Sequence, residues 1–195
     1  MKNYNHILLG LLWGTIILFS FFIFQDYKFT AGNSGNPPNK FPEESKIFKS
    51  KDKPTLIVFF HSQCPCSRAT MYELKELISR CKEKINANVV FFKSDKFNDA
   101  WVKTDLWKEA NSIPTLMVYI DKEEKEIKLF HVKTSGHTLL YDKDDNLFFS
   151  GGITISRGHI GSNSGLKSII SFVKNNNDAE MKIIKGPIYG CAINK

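Results

Sequence analysis

Eighteen consecutive residues without a charge, Ile7 to Phe24 (ILLGLLWGTIILFSFFIF), restrict this chain more than any other feature it carries. At the helical rise of about 1.5 Å per residue such a run approaches the thickness of a bilayer's hydrocarbon core. No polar face interrupts it, which argues against a helix half-buried in a globular core. Lys2 and the amino terminus precede the run, a bias that keeps the N-terminus cytoplasmic and exports the rest of the chain. The run ends in Phe21, Phe22, Ile23 and Phe24 rather than in small residues of the A-x-A kind, so an uncleaved signal-anchor over residues 1–28 is expected instead of a removable signal peptide. The expected location is the cell inner membrane, crossed once, with the body facing the periplasm or exterior.

The stretch from 29 to 53 is rich in Gly, Asn, Ser, Pro and Lys, as in AGNSGNPPNK, and reads as a flexible tether. Residues 54–195 remain for folding, enough for one domain with a real core. The formal charge of +7 comes from 27 Lys and Arg against 20 Asp and Glu, interspersed as at Lys122, Glu123, Glu124, Lys125 and Glu126. That is the pattern of a solvated surface. Only Arg68, Arg80 and Arg157 offer the planar fork suited to phosphate, so no nucleic-acid partner is expected.

Within 54–195 the pattern alternates. Thr55 to Phe60 (TLIVFF) reads as a strand buried on both faces, and Pro65 to about Lys84 as a helix whose apolar stripe is Leu74, Leu77, Ile78 and Cys81. Asn88 to Phe92 reads as a second strand, Ala100 to Ala110 as a weaker helix and Thr115 to Ile120 as a third strand. The charged stretch to Phe130 reads as helical. Thr138 to Tyr141 and Asn146 to Phe149 flank turn residues, predicting a hairpin, and Leu166 to Lys174 a last helix. The glycine-rich loop from Ile153 to Gly165 matches neither a P-loop nor a dinucleotide fingerprint. The order predicts an α/β fold with a mixed sheet flanked by helices.

Cys64 and Cys66, in HSQCPCSRAT, fall where the first strand hands over to its helix. Unpaired N–H groups and the partial positive charge of a helix N-terminus stabilise a thiolate, the species that attacks disulfides. Pro65 fits the first turn, and Arg68 and His61 lie close enough in sequence to tune the sulfur. A permanent disulfide across one residue closes a tiny loop and stabilises little, which disfavours a purely structural pair. Cys64 is therefore expected ionised and reachable by solvent, with Cys66, or Cys191 near the C-terminus, as the second thiol. Cys81 is expected to be a small core residue.

These residues carry a resemblance. FFHSQCPCSRA resembles the strand, active-site turn and helix of the thioredoxin superfamily, with Cys64 at the nucleophile position and Ser67 where the usual second cysteine stands. The combination of C-P-C-S-R-A-T, T-S-G-x-x-L-L-Y-D, F-S-G-G-I-T, R-G-H-x-G and Y-G-C resembles the RedB-like branch of membrane-tethered members. The resemblance implies a thioredoxin-like fold and thiol–disulfide exchange with protein thiols or disulfides outside the cytoplasm, with no resident metal or cofactor. It places Ser135, Gly136 and His137 at the substrate-docking position, Gly136 standing where thioredoxins have a cis-proline, and Val58 where they have a buried acid.

Two other readings stay open. His61, Cys64 and Cys66 form an H-x-x-C-x-C cluster that His137, His159 and Cys191 could join, a soft donor set suited to copper handling ahead of structural zinc. A non-catalytic binding module that retains the fold is the other.

Overall fold

The computed structural model describes residues 2–94, 96–175 and 182–193, the side chains of Lys2 and Asn3 excepted. It divides into two compact units, residues 1–30 and 31–195.

The first unit is one helix, α1 (Lys2–Phe29). Its stretch Tyr4–Phe29 is 26 residues long, long and apolar enough to cross a membrane, and none of its apolar window is buried in protein. Trp13, Phe19 and Phe22 are all more than half exposed, so this surface lacks the protein cover that a core helix would have.

The second unit is built on a six-stranded mixed sheet in the order β3-β2-β1-β4-β5-β6. The strands are β1 (Thr55–His61), β2 (Asn86–Lys93), β3 (Leu116–Lys122), β4 (His137–Tyr141), β5 (Leu147–Gly151) and β6 (Ile184–Lys185). β1 pairs parallel with β2 and antiparallel with β4, so it lies in the middle and is buried along almost its whole length. The near-continuous apolar run TLIVFF is what such a position demands. The helices are α2 (Cys66–Cys81), α3 (Asp99–Val102), α4 (Asp105–Asn111), α5 (Lys125–Leu129) and α6 (Ser164–Lys174).

Side-chain alternation along β1 feeds two cores. Leu56, Val58 and Phe60 meet the stripe of α2 (Leu74, Leu77) and Ile169 of α6 on one face. Ile57 and Phe59 meet Phe130, Tyr141 and Phe41 on the other. Val58 is an ordinary member of the first core.

The mixed sheet flanked by helices is as the sequence predicts, with three local differences. The single helix expected over Ala100 to Ala110 is two short ones, because Thr104 adopts an extended N-cap conformation at ψ 179° and restarts the helix. β6, unforeseen, adds a parallel edge strand beside β5.

The third difference is larger. The stretch 29–53 is expected as a free tether, but its residues 31–53 pack against the body. Phe41 is 5% and Ile47 3% exposed, and the Phe41 ring meets Phe130 and Tyr141 edge-on at 5.4 and 5.3 Å. The backbone is tied too: Phe41 N–H donates to the Asp145 carbonyl at 2.9 Å, and Lys46 N–H to Glu126 Oε1 at 2.9 Å. Burying two such side chains stabilises by about 1.5–3 kcal/mol each, which covers only part of the cost of ordering the segment; its hydrogen bonds to the body add to this.

Candidate active site

The site lies at the C-terminal end of β1, where the chain leaves the sheet and starts α2. Cys64 N–H donates to the His61 carbonyl at 3.0 Å and the Cys64 carbonyl accepts from Ser67 N–H at 3.0 Å, a tight turn that delivers Cys64 just ahead of the helix. Pro65 is the N-cap with φ −59°, a value its ring sets in advance. Cys66 opens α2.

A third sulfur arrives from the far end of the chain. Ser135 N–H donates to the Cys191 carbonyl at 2.8 Å, Ile193 N–H to the Lys133 carbonyl at 3.0 Å, and Thr134 and Ala192 form an antiparallel bridge. The tail is thus laid antiparallel along residues 133–135. Gly190 permits this, since a Cβ there would fall 1.8 Å from the Ser135 carbonyl oxygen. Arg157 reaches over from its loop to donate to the Gly190 carbonyl. As a result the Sγ atoms of Cys64, Cys66 and Cys191 all lie within 4.8 Å of one another.

The three sulfurs are electrostatically unequal. Cys64 is drawn far below the ordinary thiol range by hydrogen bonding from the Cys191 thiol, then from the Cys66 thiol, and further by the backbone N–H groups of both, against the opposing cost of burial. The Cys191 thiol is pushed well up because it donates to Cys64 and then to Cys66. Cys66 accepts from Cys191, which pulls it down, but its own donation to Cys64 and its burial win, so it also stays protonated. The set holds one thiolate solvated by two thiols. The Cys66 N–H contributes as the sequence predicts for a helix start, but the leading contribution comes from Cys191.

The expected exposure of Cys64 is corrected: it is only 4% exposed, because the C-terminal tail and Cys191 cover it. Of the three residues, Cys191 alone is half-buried rather than buried.

The residues expected to tune the thiolate separate into two groups. Ser67 belongs to the scaffold: its hydroxyl lies 2.8 Å from Ser135 Oγ and donates to the His61 carbonyl at 3.3 Å, while His61 N–H donates to Ser135 Oγ at 2.9 Å. These bonds clamp the turn to the loop before β4. The His61 ring stacks on Phe92 at 5.8 Å and meets Trp101 edge-on at 5.1 Å; burial lowers its pKa, against the Cys64 charge, which raises it.

Arg68 does not face the sulfurs. It is exposed and pairs with Asp105 at 2.5 Å; two residues on from Cys66, it lies on the opposite side of α2. The cation that acts on the cluster is Arg157, which lowers Cys66. Arg157 lies in the R-G-H-x-G motif, so the only available signal was the motif itself.

The docking role expected at Ser135, Gly136 and His137 is not free to operate in this arrangement. Ser135 N–H is taken by Cys191, and Gly136 N–H donates to the Phe59 carbonyl at 2.7 Å. Gly136 sits at φ +85° with Thr70 Oγ1 3.0 Å from where a Cβ would be, so glycine is required there for conformation and space. His137 is fully buried in β4, its Nε2 2.9 Å from Ser150 Oγ, and desolvation lowers its pKa to about 3.

His159 is exposed, with Nδ1 on the Arg157 carbonyl at 2.7 Å, and neither it nor His137 joins the cluster among the described residues. Cys81 is buried in the α2 stripe and pushed up to about 11 by desolvation, which removes it from the chemistry as expected.

No family model and no curated protein matches this chain. Among solved structures it is similar to an uncharacterized conserved protein from Geobacillus kaustophilus, at 17% identity and TM-score 0.59 over 85% of this chain and 92% of that one. It is also similar to the hypothetical protein SMc02350 from Sinorhizobium meliloti 1021, at 20% identity and TM-score 0.54 over 73% and 80%. The pneumococcal exposed lipoprotein thioredoxin Etrx1 from Streptococcus pneumoniae TIGR4 aligns at 17% identity and TM-score 0.46 over 64% and 86%. The first two likenesses show a shared fold, the mixed sheet flanked by helices described above.

Proposed function

We propose that this chain is a membrane-anchored thiol–disulfide oxidoreductase of the RedB-like branch, held in the cell inner membrane by α1 with its thioredoxin-like domain facing the periplasm or exterior. The observation that carries the reading is the meeting of three sulfurs at the start of α2, Cys64 Sγ lying within 4.8 Å of two thiols whose hydrogen bonding draws its pKa down while their own are raised. A nucleophile and its resolving partner are what two-electron exchange needs.

The Cys64 thiolate attacks one sulfur of a partner protein's disulfide, forming a mixed disulfide and releasing the partner's other sulfur as thiolate. A resolving thiol passes its proton to that thiolate and attacks Cys64, which expels the remaining partner sulfur. The partner leaves as one thiol and one thiolate, which takes its proton from solvent, and the domain as a disulfide; the reverse sequence oxidises a partner. Cys191 is the better resolving thiol. A Cys64–Cys66 bridge must close over one intervening residue, whereas Cys191 comes on a separate segment and already has its Sγ within 4.8 Å of that of Cys64. Because the tail covers Cys64, lifting it admits the partner and at the same time frees the Ser135 N–H for the incoming chain.

The test is alkylation of the reduced full-length protein in detergent micelles across pH, followed residue by residue by mass spectrometry. Cys64 should react with a midpoint far below that of free cysteine, Cys81 should stay inert, and a Cys191→Ser variant should accumulate mixed disulfides in cells. A Cys64 that titrates like free cysteine, with no mixed disulfide trapped, would leave a non-catalytic binding module.

A further inference from the structure

The three sulfurs are also a donor set, and their arrangement points to a ligand. Each is held by its own backbone anchor: Cys64 by the turn bonds to His61 and Ser67, Cys66 by the first turn of α2, and Cys191 by the Ser135 N–H. All three Sγ atoms fall within 4.8 Å of one another. A metal–thiolate bond of about 2.3 Å puts three sulfurs of a trigonal site roughly 4 Å apart, so an ion at the centre of this triangle needs little movement of any of them.

No fourth donor is at hand among the described residues. His61 is packed against Phe92 and Trp101, with Nδ1 accepting from Gln63 N–H at 3.3 Å. His137 is engaged with Ser150 and His159 with the Arg157 carbonyl. Structural zinc almost always takes four ligands in a tetrahedron, and hard cations take oxygen. A closed set of three thiolates fits a soft monovalent ion that is content with three. Three thiolates and one such ion leave a net charge of −2, which the Arg157 guanidinium, the cation acting on Cys66, partly offsets.

We propose that the reduced protein binds one Cu(I) ion in a trigonal site made by the Sγ atoms of Cys64, Cys66 and Cys191. Cys66 and Cys191 give their protons to solvent as the ion enters past the half-exposed Cys191. A disulfide between any two of the sulfurs removes two donors, so copper occupancy and the oxidised state exclude each other. The inference stands on the donor geometry and does not depend on the exchange activity.

The experiment is anaerobic titration of the reduced full-length protein, in detergent micelles, against Cu(I) held by bathocuproine disulfonate, with absorption at the copper X-ray edge on the loaded wild-type protein. One equivalent of Cu(I) should leave the chelator, the copper shell should contain three sulfurs and no nitrogen, and prior oxidation should abolish uptake. Cys191→Ser should weaken binding at least tenfold, and Cys81→Ser should leave it unchanged. Copper that stays on the chelator, a shell of two sulfurs or one containing nitrogen, or preferential formation of a four-ligand zinc complex would overturn the site. Because the shell is read on the wild-type protein, a misfolded variant cannot mimic that result. A protein that exchanges disulfides but takes no copper refutes the metal site alone.

Discussion

The backbone N–H of Ser135 and the carbonyl of Cys191, 56 residues apart in the chain, meet in a 2.8 Å hydrogen bond. That bond holds the C-terminal tail against residues 133–135 and brings to Cys64 the strongest contribution to its ionisation. The reactivity expected of this protein depends on how firmly that contact is made.

Replacing Cys191 with alanine removes the leading hydrogen bond to the Cys64 sulfur, so the Cys64 pKa should rise toward the ordinary thiol range while Cys66 still holds it partly down. Thiolate absorbance at 240 nm, followed against pH in a background lacking Cys81, measures this. An unchanged midpoint would show that the helix start alone ionises Cys64.

Gly190→Ala should detach the tail, since its Cβ would lie 1.8 Å from the Ser135 carbonyl oxygen and both groups are backbone. The Ser135 amide, protected by Cys191 in the native arrangement, should then exchange its hydrogen faster by an order of magnitude or more. Cys64 should at the same time become more accessible to bulky maleimides. Equal protection in both proteins would mean that the tail is held by other contacts.

Ser135→Ala should destabilise the domain by about 1–3 kcal/mol, because the His61 N–H and the Ser67 hydroxyl both lose their buried partner. Chemical denaturation followed by circular dichroism reads the loss. A change below about 0.5 kcal/mol, the usual reach of surface substitutions, would show that the clamp contributes nothing.

His137 links stability to acid. Its folded-state pKa, about 3, lies below the unfolded value near 6.5, so the native state stays neutral while the unfolded chain takes up a proton. Stability contributed by the neutral form is complete above about pH 6.5 and drains away as pH falls toward 3. Urea midpoints should therefore decline between these values, and His137→Gln, which can still reach Ser150, should flatten the decline. An unaltered slope in the variant would assign the acid sensitivity to other groups.

Arg68→Ala should leave both Cys64 ionisation and stability essentially unchanged, since the guanidinium forms an exposed pair with Asp105. Arg157→Ala should instead raise the Cys66 pKa further and loosen the tail through loss of its bond to Gly190. Reading both variants by alkylation against pH separates the two cations. Equal effects would mean that the field at the sulfurs is diffuse.

Much of the scaffold was legible before any coordinates. An apolar run without charge has to be a helix, TLIVFF has to lie inside a sheet, and Cys64 has to sit at a strand-to-helix turn, because each rests on patterns within a few residues. Phe41 and Ile47 were invisible for the same reason: two apolar side chains among prolines, asparagines and lysines reveal their burial only when Phe130 and Tyr141 are there to receive them. Arg68 misled because proximity along a helix is not direction.

What the sequence determined by itself is therefore local: the helix fit to cross a membrane, the order of strands and helices, and a cysteine pair where backbone N–H groups converge. What the tertiary structure decided is which distant groups meet those sulfurs, namely Cys191 and Arg157 in place of Arg68, and the cover that hides Cys64 from solvent. The division is physical. Periodicity and turn chemistry act over one turn or one strand, whereas the ionisation and reach of a thiol depend on every dipole and surface within a few ångströms, and only the folded chain brings residue 191 to residue 64.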